Sequence, residues 1–187
     1  MNNLVILLAA LFLAGHGDRK KRETSKAEIT IEVTEMVSAP QDTMLLGLQK
    51  RKVLEQAPYS SWYKRNYKEY KPDPEMVGKL KPLIGDVEVA IFMGAWCHDS
   101  KREVPALYKL LDALDFPEEK VALIFLDRDK ETPDHLEEGL EINNSPTMIF
   151  KRNGKELNRI VEFPMESMEE DMYKILSGQE YKHAYDW

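Results

Sequence analysis

Two unbroken apolar runs, separated by one helical segment, place the strongest constraint on how this chain can fold. Residues 87–93 and residues 121–126 are almost entirely aliphatic or aromatic, with a single charged side chain at Glu88. Runs of this kind are typical of strands buried on both faces of a parallel sheet. Between them, apolar residues recur at helical spacing over residues 100–114. This order predicts two parallel strands joined by a right-handed crossover, and therefore an α/β fold.

Further elements on either side extend this unit into one domain over residues 73–177. Asn153-Gly154 is a strong signal for a two-residue hairpin turn, and it predicts an antiparallel edge of the sheet. The sequence thus predicts a central mixed sheet with helices on both faces and a C-terminal β-hairpin. The predicted helices are residues 73–84, 132–140 and 165–176, and the predicted hairpin strands are residues 147–150 and 157–161.

Residues 1–17 are predicted to be a targeting segment rather than part of the fold. Residues 4–14 are uniformly apolar, but a membrane-spanning helix needs about 20 such residues. A short apolar run followed by small residues at positions 15–17 is typical of a cleaved signal peptide, so we expect an exported, periplasmic or otherwise extracytoplasmic protein. The basic block at residues 19–22 keeps an uncleaved N-terminal membrane anchor open as the alternative.

Residues 18–72 form a predicted N-terminal helical extension. Within it, residues 29–33 alternate as in a strand, and residues 44–54 predict a short helix. Aromatic residues then recur at helical spacing, which predicts an amphipathic helix whose aromatic face packs on the domain. The alternative is a lip over a substrate groove. These aromatic residues are Tyr59, Trp62, Tyr63, Tyr67 and Tyr70. Residues 178–187 form a tail for which the sequence predicts no structure.

The composition excludes several classes of protein. The 187 residues include one cysteine, Cys97, so neither an intramolecular disulfide framework nor a cysteine-based zinc cluster can form. Four histidines argue against a histidine-rich metal centre. A net charge of −7 argues against a nucleic-acid-binding face.

One acidic loop has a pattern that Ca²⁺ can use. Carboxylates alternate after the second apolar run, at Asp127, Asp129 and Glu131. The loop contains no glycine, however, and the basic residues Arg128 and Lys130 lie between the acidic ones. We therefore predict a solvated loop, and we expect no bound metal and no cofactor.

Cys97 lies where an α/β sheet places its functional sites. It follows the first apolar run and precedes the helix that begins near Ser100. A thiol at a helix N-terminus faces unpaired backbone N–H groups and the positive end of the helix dipole, and both stabilise the thiolate. The thiolate is the nucleophile of thiol–disulfide exchange, whereas a cysteine buried in a core is inert. Position alone leaves both interpretations open.

The residues around the single cysteine resemble the active-site loop of the thioredoxin family. That family has a tryptophan before the nucleophilic cysteine, a lysine just after the active-site box, and a proline farther along the helix. Trp96, Lys101 and Pro105 match these positions. The family also has a cis-proline that faces the nucleophile just ahead of a hairpin, and Pro146 matches it. The resemblance covers roughly residues 73–177, or also the predicted strand at residues 29–33 as the family's first strand, and it implies a thioredoxin-like fold.

The same resemblance implies which residues form the site. Cys97 and Ser100 are the implied catalytic residues, with Ser100 standing where the family has its resolving cysteine. Ile91 stands where the family has a buried acid that assists this second thiol. A hydroxyl cannot release a mixed disulfide, so Ser100 is expected to donate a hydrogen bond to the Cys97 sulfur or to cap the helix. The implied substrate-binding residues are Trp96, His98, Asp99, Ser145, Pro146 and Thr147.

Two functions follow from these expectations. In the first, the protein is a monothiol thiol–disulfide oxidoreductase or isomerase, in which Cys97 attacks a disulfide and an external thiol resolves the intermediate. Its expected partners are a disulfide- or thiol-bearing protein, or a small thiol such as glutathione. In the second, the protein is a redox-inactive module that binds a protein or peptide. A thiol peroxidase is disfavoured, because the residues before Cys97 do not fit the peroxiredoxin pattern.

Overall fold

Five strands and four helices form the part of the chain that the computed structural model describes, residues 44–186. The strands are β1 (Gly47–Gln49), β2 (Val87–Met93), β3 (Val121–Phe125), β4 (Thr147–Arg152) and β5 (Lys155–Val161). The helices are α1 (Ser60–Glu69), α2 (Pro74–Leu80), α3 (His98–Ala113) and α4 (Met168–Ser177), with 3₁₀ turns at Arg51–Glu55, Lys81–Leu83 and Glu118–Lys120. None of the helices in this described part is long and apolar enough to cross a membrane.

The strands form one mixed sheet in the order β1-β3-β2-β4-β5, and its centre confirms the predicted crossover. β2 and β3 are parallel, and α3 connects them. Both strands are almost wholly buried, as their apolar runs predict. β4 lies antiparallel on the other side of β2. The carboxyl end of β2 leads directly into the segment that carries Cys97, and this sets the position of the site.

The β4–β5 hairpin turns at Asn153-Gly154, as predicted. The φ angles are 53° for Asn153 and 71° for Gly154, and positive values at both positions are what a type I′ turn requires. Antiparallel pairing then brings Val161 opposite Thr147. The residues that follow β5 therefore lie beside those that precede β4.

The two faces of the sheet are covered differently. Ile91 and its neighbours on one face pack in a large cluster with buried residues from all four helices. Phe92, on the opposite face, belongs to a smaller cluster that is completed by Ile142, Leu136 and Leu140. In the described residues, all four helices contribute to the first cluster, and the segment at residues 132–140 contributes to the second.

The predicted helix at residues 132–140 is wrong, because this segment forms a series of turns. His135 and Gly139 have left-handed backbone conformations, with φ angles of 52° and 74°, and these interrupt a helix. The Glu137 carboxylate accepts hydrogen bonds from the N–H and the hydroxyl of Thr132, at 3.0 and 2.6 Å. Local side-chain bonds of this kind compete with helix formation.

The predicted helix at residues 44–54 is also wrong. Gly47 is left-handed, with φ 75°, and the segment forms β1 followed by a 3₁₀ turn. Pairing with β1 covers an edge of β3 that would otherwise leave N–H and C=O groups unpaired. The predicted strand at residues 29–33 and the targeting segment at residues 1–17 lie outside the described residues.

The aromatic face of α1 packs on the domain, as predicted. Tyr63 is 3% exposed and belongs to the large cluster. Tyr59, Trp62, Tyr67 and Tyr70 are half-buried and pack against the same cluster. The helix of the N-terminal extension therefore shares a core with α3 and α4.

The C-terminal half of α3 is held by side chains that we call the Arg51 cluster: Arg51, Tyr63, Tyr67, Tyr108 and Asp112. Arg51 donates two hydrogen bonds to Asp112, at 2.6 and 2.7 Å, and one to the Tyr63 hydroxyl at 2.8 Å. Its guanidinium carbon lies 4.6 Å from the ring centroid of Tyr108 and 5.5 Å from that of Tyr67. Tyr67 donates a further bond to Asp112 at 2.6 Å. Although burial acts in the opposite direction, these bonds hold the pKa of Asp112 below its ordinary value.

Residues beyond α4 belong to the same compact unit. Tyr181 is 9% exposed, and its hydroxyl donates to Asp171 at 2.8 Å. Its carbonyl oxygen accepts a bond from the Asn158 side chain at 3.1 Å. Together with β1, these contacts extend the core beyond residues 73–177 on both sides.

Candidate active site

Cys97 occupies the N-cap position of α3, directly after the loop that follows β2. Its backbone is extended, and its N–H donates to the Gly94 carbonyl at 2.9 Å. Lys101 N donates to the Cys97 carbonyl at 3.3 Å, which starts the helical hydrogen bonds. The N–H groups before it have no helical partner. The half-buried Cys97 is thus at the positive end of the helix dipole.

The thiol faces a loop from far along the sequence. Cys97 donates to the carbonyl oxygen of Ser145, with 3.0 Å between Sγ and that oxygen. The Ser145–Pro146 peptide bond is cis, and both residues are buried, as is Thr147 at the start of β4. Thr147 pairs with Phe92 near the end of β2, and this explains why the two loops meet.

Ser100 is fully buried on the first turn of α3. Its Oγ accepts a bond from Gly94 N at 3.3 Å and lies 3.0 Å from the Oγ of Ser145. Gly94 N also donates to Ser145 Oγ, at 2.8 Å. Two hydrogen bonds were expected of Ser100, one to the Cys97 sulfur and one that caps the helix N-terminus. Neither is present among the described residues. Its hydroxyl instead joins the loop before α3 to the loop before β4.

Trp96 is held beside Cys97 by contacts that the sequence did not reveal. Its Nε1 donates to the Leu126 carbonyl at 3.3 Å, and the Arg128 guanidinium carbon lies 5.5 Å from its ring centroid. The indole approaches Gly94 so closely that a Cβ there would lie 2.5 Å from Trp96 Cε2. A glycine directly after a buried strand was the available signal for this close approach.

His98 and Asp99 follow Cys97 on the first turn of α3. His98 is exposed, whereas Asp99 forms an ion pair with Arg102 at 2.8 Å. Arg102 also bonds the Glu103 carboxylate at 2.5 Å. Burial raises the pKa of Glu103 above its ordinary value, and Arg102 opposes that shift. The charge of Asp99 near the thiol is therefore partly balanced by Arg102, a pairing that i, i+3 spacing could have indicated.

The position of the expected buried acid is apolar. Ile91 is fully buried in the large cluster, opposite Leu123 of β3 and Met148 of β4. A charged group at this position would be paired with apolar residues on both neighbouring strands. The site therefore has no carboxylate here to assist a second thiol.

Pro105 leaves one carbonyl of α3 without a helical partner, and α1 supplies a replacement. Proline has no N–H, so the carbonyl of Lys101, four residues earlier, receives no helical hydrogen bond. The Asn66 side chain donates to this oxygen at 2.6 Å. The N-terminal helix is thus bonded to α3 about one turn beyond Cys97.

Glu162 connects the loop before β4 to the C-terminal residues. Its N–H donates to the Pro146 carbonyl at 2.7 Å, and its Oε1 accepts a bond from Asn144 Nδ2 at 3.0 Å. Its Oε2 accepts a bond from the Tyr185 hydroxyl. The Asn144 carbonyl also accepts a bond from Thr147 Oγ1, at 2.8 Å. Sequence reasoning missed Glu162 and Tyr185, because neither belongs to a local motif: the pairing of β4 with β5 brings Glu162 here, and Tyr185 reaches it through a hydrogen bond.

The acidic loop after β3 is organised by one of its own carboxylates. Asp127 Oδ1 accepts hydrogen bonds from the N–H groups of Asp129 and Glu131, both at 2.9 Å. The Asp127 carboxylate is therefore engaged in closing a turn. Within residues 44–186, no group of three or more His, Cys, Asp or Glu side chains is arranged to hold a metal ion.

Comparison with known protein families shows to which family this chain belongs. A family model described as thioredoxin matches residues 49–177, which is more than half of the chain. The chain belongs to the thioredoxin family. Membership supports a thioredoxin-type function in general, and the matched region contains Cys97, Ser100 and Pro146. A comparison with curated proteins found no significant match.

Solved structures of similar proteins include members of the thioredoxin family. A protein of unknown function from Pseudomonas aeruginosa is 15% identical, with a TM-score of 0.50, and covers 66% of this chain and 86% of its own. This likeness shows the fold alone. Mitochondrial thioredoxin 3 from Saccharomyces cerevisiae is 24% identical, with a TM-score of 0.32, and covers 51% of this chain and 86% of its own. Thioredoxin from Fasciola hepatica is 21% identical, with a TM-score of 0.32, and covers 44% and 73%.

Proposed function

We propose that this thioredoxin-family protein carries out thiol–disulfide exchange through a single cysteine. One observation supports the proposal above all. Cys97 caps α3 with its sulfur 3.0 Å from the Ser145 carbonyl, while a fully buried Ser100 takes the place of the second thiol. The arrangement retains the nucleophile and its partner loop and lacks the group that would resolve the intermediate within the chain.

The first step forms a mixed disulfide. Cys97 gives its proton to solvent, and the thiolate attacks one sulfur of a partner disulfide, R–S–S–R′. A bond forms between Cys97 Sγ and the R sulfur as the R–S–S–R′ bond breaks. R′–S⁻ leaves with the electron pair and takes up a proton. The unpaired N–H groups at the start of α3 stabilise the attacking thiolate.

The loop before β4 positions the partner. In the free protein, the Ser145 carbonyl accepts the hydrogen bond of the Cys97 thiol. Once the thiol ionises, this oxygen has lost its donor and can accept a bond from an N–H of the partner backbone. Main-chain bonding of this kind holds an extended segment with little dependence on its sequence. Trp96 and Pro146 form the walls against which this segment packs.

An external thiol completes the cycle. Its thiolate attacks the mixed disulfide, forms a disulfide with the R sulfur and releases the Cys97 thiolate. The chain has one cysteine, so this second thiol comes from another molecule. The Ser100 hydroxyl cannot replace it, because an alcohol does not take part in disulfide exchange. Glutathione or a thiol-bearing protein would supply the electrons.

Intact-mass analysis tests this proposal. The protein is incubated with oxidised glutathione, and we expect one glutathione per chain, attached at Cys97 and removed again by reduced glutathione. Cys97→Ser is the matched control, since it replaces only sulfur by oxygen. The proposal fails if the wild-type protein stays unmodified while an unstructured cysteine peptide in the same solution becomes glutathionylated.

One contact favours a second candidate function, a redox-inactive module that binds a protein or peptide. In the described structure the Cys97 thiol is a hydrogen-bond donor to the Ser145 carbonyl, so it can serve to hold the loop before β4 rather than to react. Cys97→Ser keeps a donor for this carbonyl, so a binding module would retain its partner after the substitution. Partner capture that disappears in Cys97→Ser, and that is reversed by a reductant in the wild type, excludes this function.

We further propose that the protein acts outside the cytoplasm. The support is the short apolar run at residues 4–14 followed by small residues at positions 15–17. Cell fractionation combined with N-terminal mass analysis distinguishes an exported, cleaved form from an uncleaved, membrane-anchored one. A full-length protein found in the cytosol would contradict both.

A further inference from the structure

Glu162 adopts a backbone conformation that is unfavourable for its residue type. It follows β5 directly with a φ angle of 62°, in the left-handed region where glycine is favoured over residues that carry a Cβ. Strain of this kind persists where the surrounding structure requires it, and it is enriched at functional sites. The contacts of the Glu162 backbone and carboxylate are the part of that surrounding structure that offsets the strain.

Glu162 holds both neighbours of Ser145. Its backbone N–H donates to the Pro146 carbonyl at 2.7 Å, and its Oε1 accepts a bond from the Asn144 side chain at 3.0 Å. Ser145 lies between these two anchored residues, and its carbonyl oxygen lies 3.0 Å from the sulfur of Cys97. Glu162 thus anchors the chain on both sides of this carbonyl, in addition to the bonds that the Ser145 hydroxyl makes with Gly94 and Ser100.

The second oxygen of the carboxylate reaches the C-terminal segment. Oε2 accepts a hydrogen bond from the hydroxyl of Tyr185, a residue that is 43% exposed. This bond raises the pKa of Tyr185 above its ordinary value, and the charge of Asp99 acts in the same direction. Because Glu162 is also bonded to Pro146 and Asn144, Tyr185 lies beside the loop that precedes β4 and faces Cys97. Glu162 therefore holds an exposed aromatic ring at the rim of the site.

We infer that Glu162 is a positioning residue for disulfide exchange, which orients the Ser145 carbonyl toward Cys97 and the partner backbone and holds Tyr185 at the rim. The inference rests on the function proposed for Cys97. Among the described residues no hydrogen bond joins Glu162 to the reacting sulfur, so it acts through Asn144 and the loop before β4. Its loss should weaken reaction with an extended partner more than reaction with a small reagent that needs no groove.

A matched control is available at the other end of α3. Asp115 is also acidic and left-handed, with φ 56°, and its exposed carboxylate makes an ion pair with Lys81 at 2.9 Å. D115G and E162G both relieve left-handed strain and both remove one carboxylate. They differ in that only Glu162 is bonded to the loop that faces Cys97.

The test compares E162G, E162Q and D115G in the full chain. The first readout is the reaction of Cys97 with a short peptide whose cysteine is disulfide-bonded to thionitrobenzoate, in which attack transfers the peptide to Cys97 and releases coloured thionitrobenzoate. The second is alkylation of Cys97 by iodoacetamide, which needs the thiolate but no groove. The third is the set of amide NMR resonances of Ser145 and Cys97, which requires no reaction.

We expect E162G to react about tenfold more slowly with the peptide disulfide, while its alkylation rate stays within about twofold of the wild type. E162Q retains an acceptor for Asn144 and a polar partner for Tyr185, so its peptide rate should stay within about threefold of the wild type. The Ser145 and Cys97 resonances should shift in E162G. D115G should match the wild type in all three readouts.

Equal peptide rates for E162G and D115G would overturn the inference. Equal slowing of E162G with both reagents would also overturn it, because that result indicates a general structural loss. If the wild type releases no thionitrobenzoate, the proposed function fails, and the amide resonances alone decide the positioning role. Unchanged Ser145 resonances in E162G then refute that role, and shifted ones support it.

Discussion

The two ends of α3 differ in how completely their polar groups are bonded. At the N-terminus, Cys97 makes no side-chain cap, and the first N–H groups have no helical partner. In the C-terminal half, Asp112 accepts three hydrogen bonds, two from Arg51 and one from Tyr67. One end of the helix leaves hydrogen-bonding capacity for a partner, and the other uses it within the fold.

This difference shows how a helix can carry a reactive end without fraying. Unpaired N–H groups favour a thiolate only while they remain unpaired, and such ends are the parts of a protein that open most readily. The Arg51 cluster ties α3 to α1 and to the segment after β1, so the stability of the helix does not depend on its reactive end. Changes at the two ends should therefore affect different measurements.

The largest effect should come from adding a thiol at the reactive end. In Ser100→Cys, resolution of a mixed disulfide at Cys97 becomes intramolecular, and we expect its lifetime without external thiol to fall at least about 100-fold. Decay of a peptide mixed disulfide, followed by mass spectrometry, measures this. Ser100→Ala removes the same hydroxyl without adding a thiol and should leave the lifetime long. Similar lifetimes in the two variants would contradict the monothiol mechanism.

The next largest effect should come from breaking the bonded end. Arg51→Met removes two of the three hydrogen bonds that Asp112 accepts and the one that the Tyr63 hydroxyl accepts, so we expect the free energy of unfolding to fall by about 2–3 kcal/mol in denaturant titrations. The rate of thiol alkylation should stay unchanged. Lys79→Met, which removes an exposed pair with Glu75, should cost less than about 1 kcal/mol. Equal losses in the two variants would mean that the Arg51 cluster is no stronger than a surface ion pair.

A smaller effect is expected within α3, between its two ends. Here Asn66 of α1 bonds the Lys101 carbonyl, which Pro105 leaves without a helical donor. Asn66→Leu should lower the free energy of unfolding by about 1 kcal/mol. In a Pro105→Ala background, the alanine N–H can bond the Lys101 carbonyl, so the same substitution should cost much less. A double-mutant cycle measures the coupling, and additive effects would show that Asn66 stabilises α3 in another way.

The smallest expected effect is on stability in acid. The bonds to Arg51 and Tyr67 outweigh burial and lower the pKa of Asp112 below its ordinary value of 3.8. Asp112 therefore binds a proton more readily in the unfolded chain than in the folded protein. Its contribution to the free energy of unfolding is complete above pH 3.8 and is lost as the pH falls through the lower pKa of the folded state. The difference in unfolding free energy between the wild type and Arg51→Met should shrink between about pH 5 and about pH 2. A constant difference would refute this.

Elements with local signals could be predicted from the sequence, and those that depend on distant partners could not. The apolar run of β2 predicts a buried strand because both faces of this strand are covered. Asn153-Gly154 predicts its own turn because both residues adopt the positive φ angles that the turn requires. β1 exists because it pairs with β3, which its sequence does not indicate. The turns at residues 132–140 depend on the bonds of Glu137 and on a left-handed His135, which helical spacing does not reveal.

The candidate site divides in the same way. Cys97 and Pro146 could be located because their neighbours match a family pattern. The role of Ser100 could not, because its bonding partners lie on two different loops. Glu162 and Tyr185 carry no motif of their own, and hairpin pairing brings the first beside Pro146.

The close contact between Gly94 and Trp96 has a genetic consequence. Every substitution of a glycine adds a Cβ, and at this position that atom would lie 2.5 Å from the indole. Each missense change at codon 94 would therefore displace Trp96 from beside Cys97 or move the end of β2. In a saturation-mutagenesis scan selected for exchange activity, position 94 should be as intolerant as position 97, although its residue has no side chain.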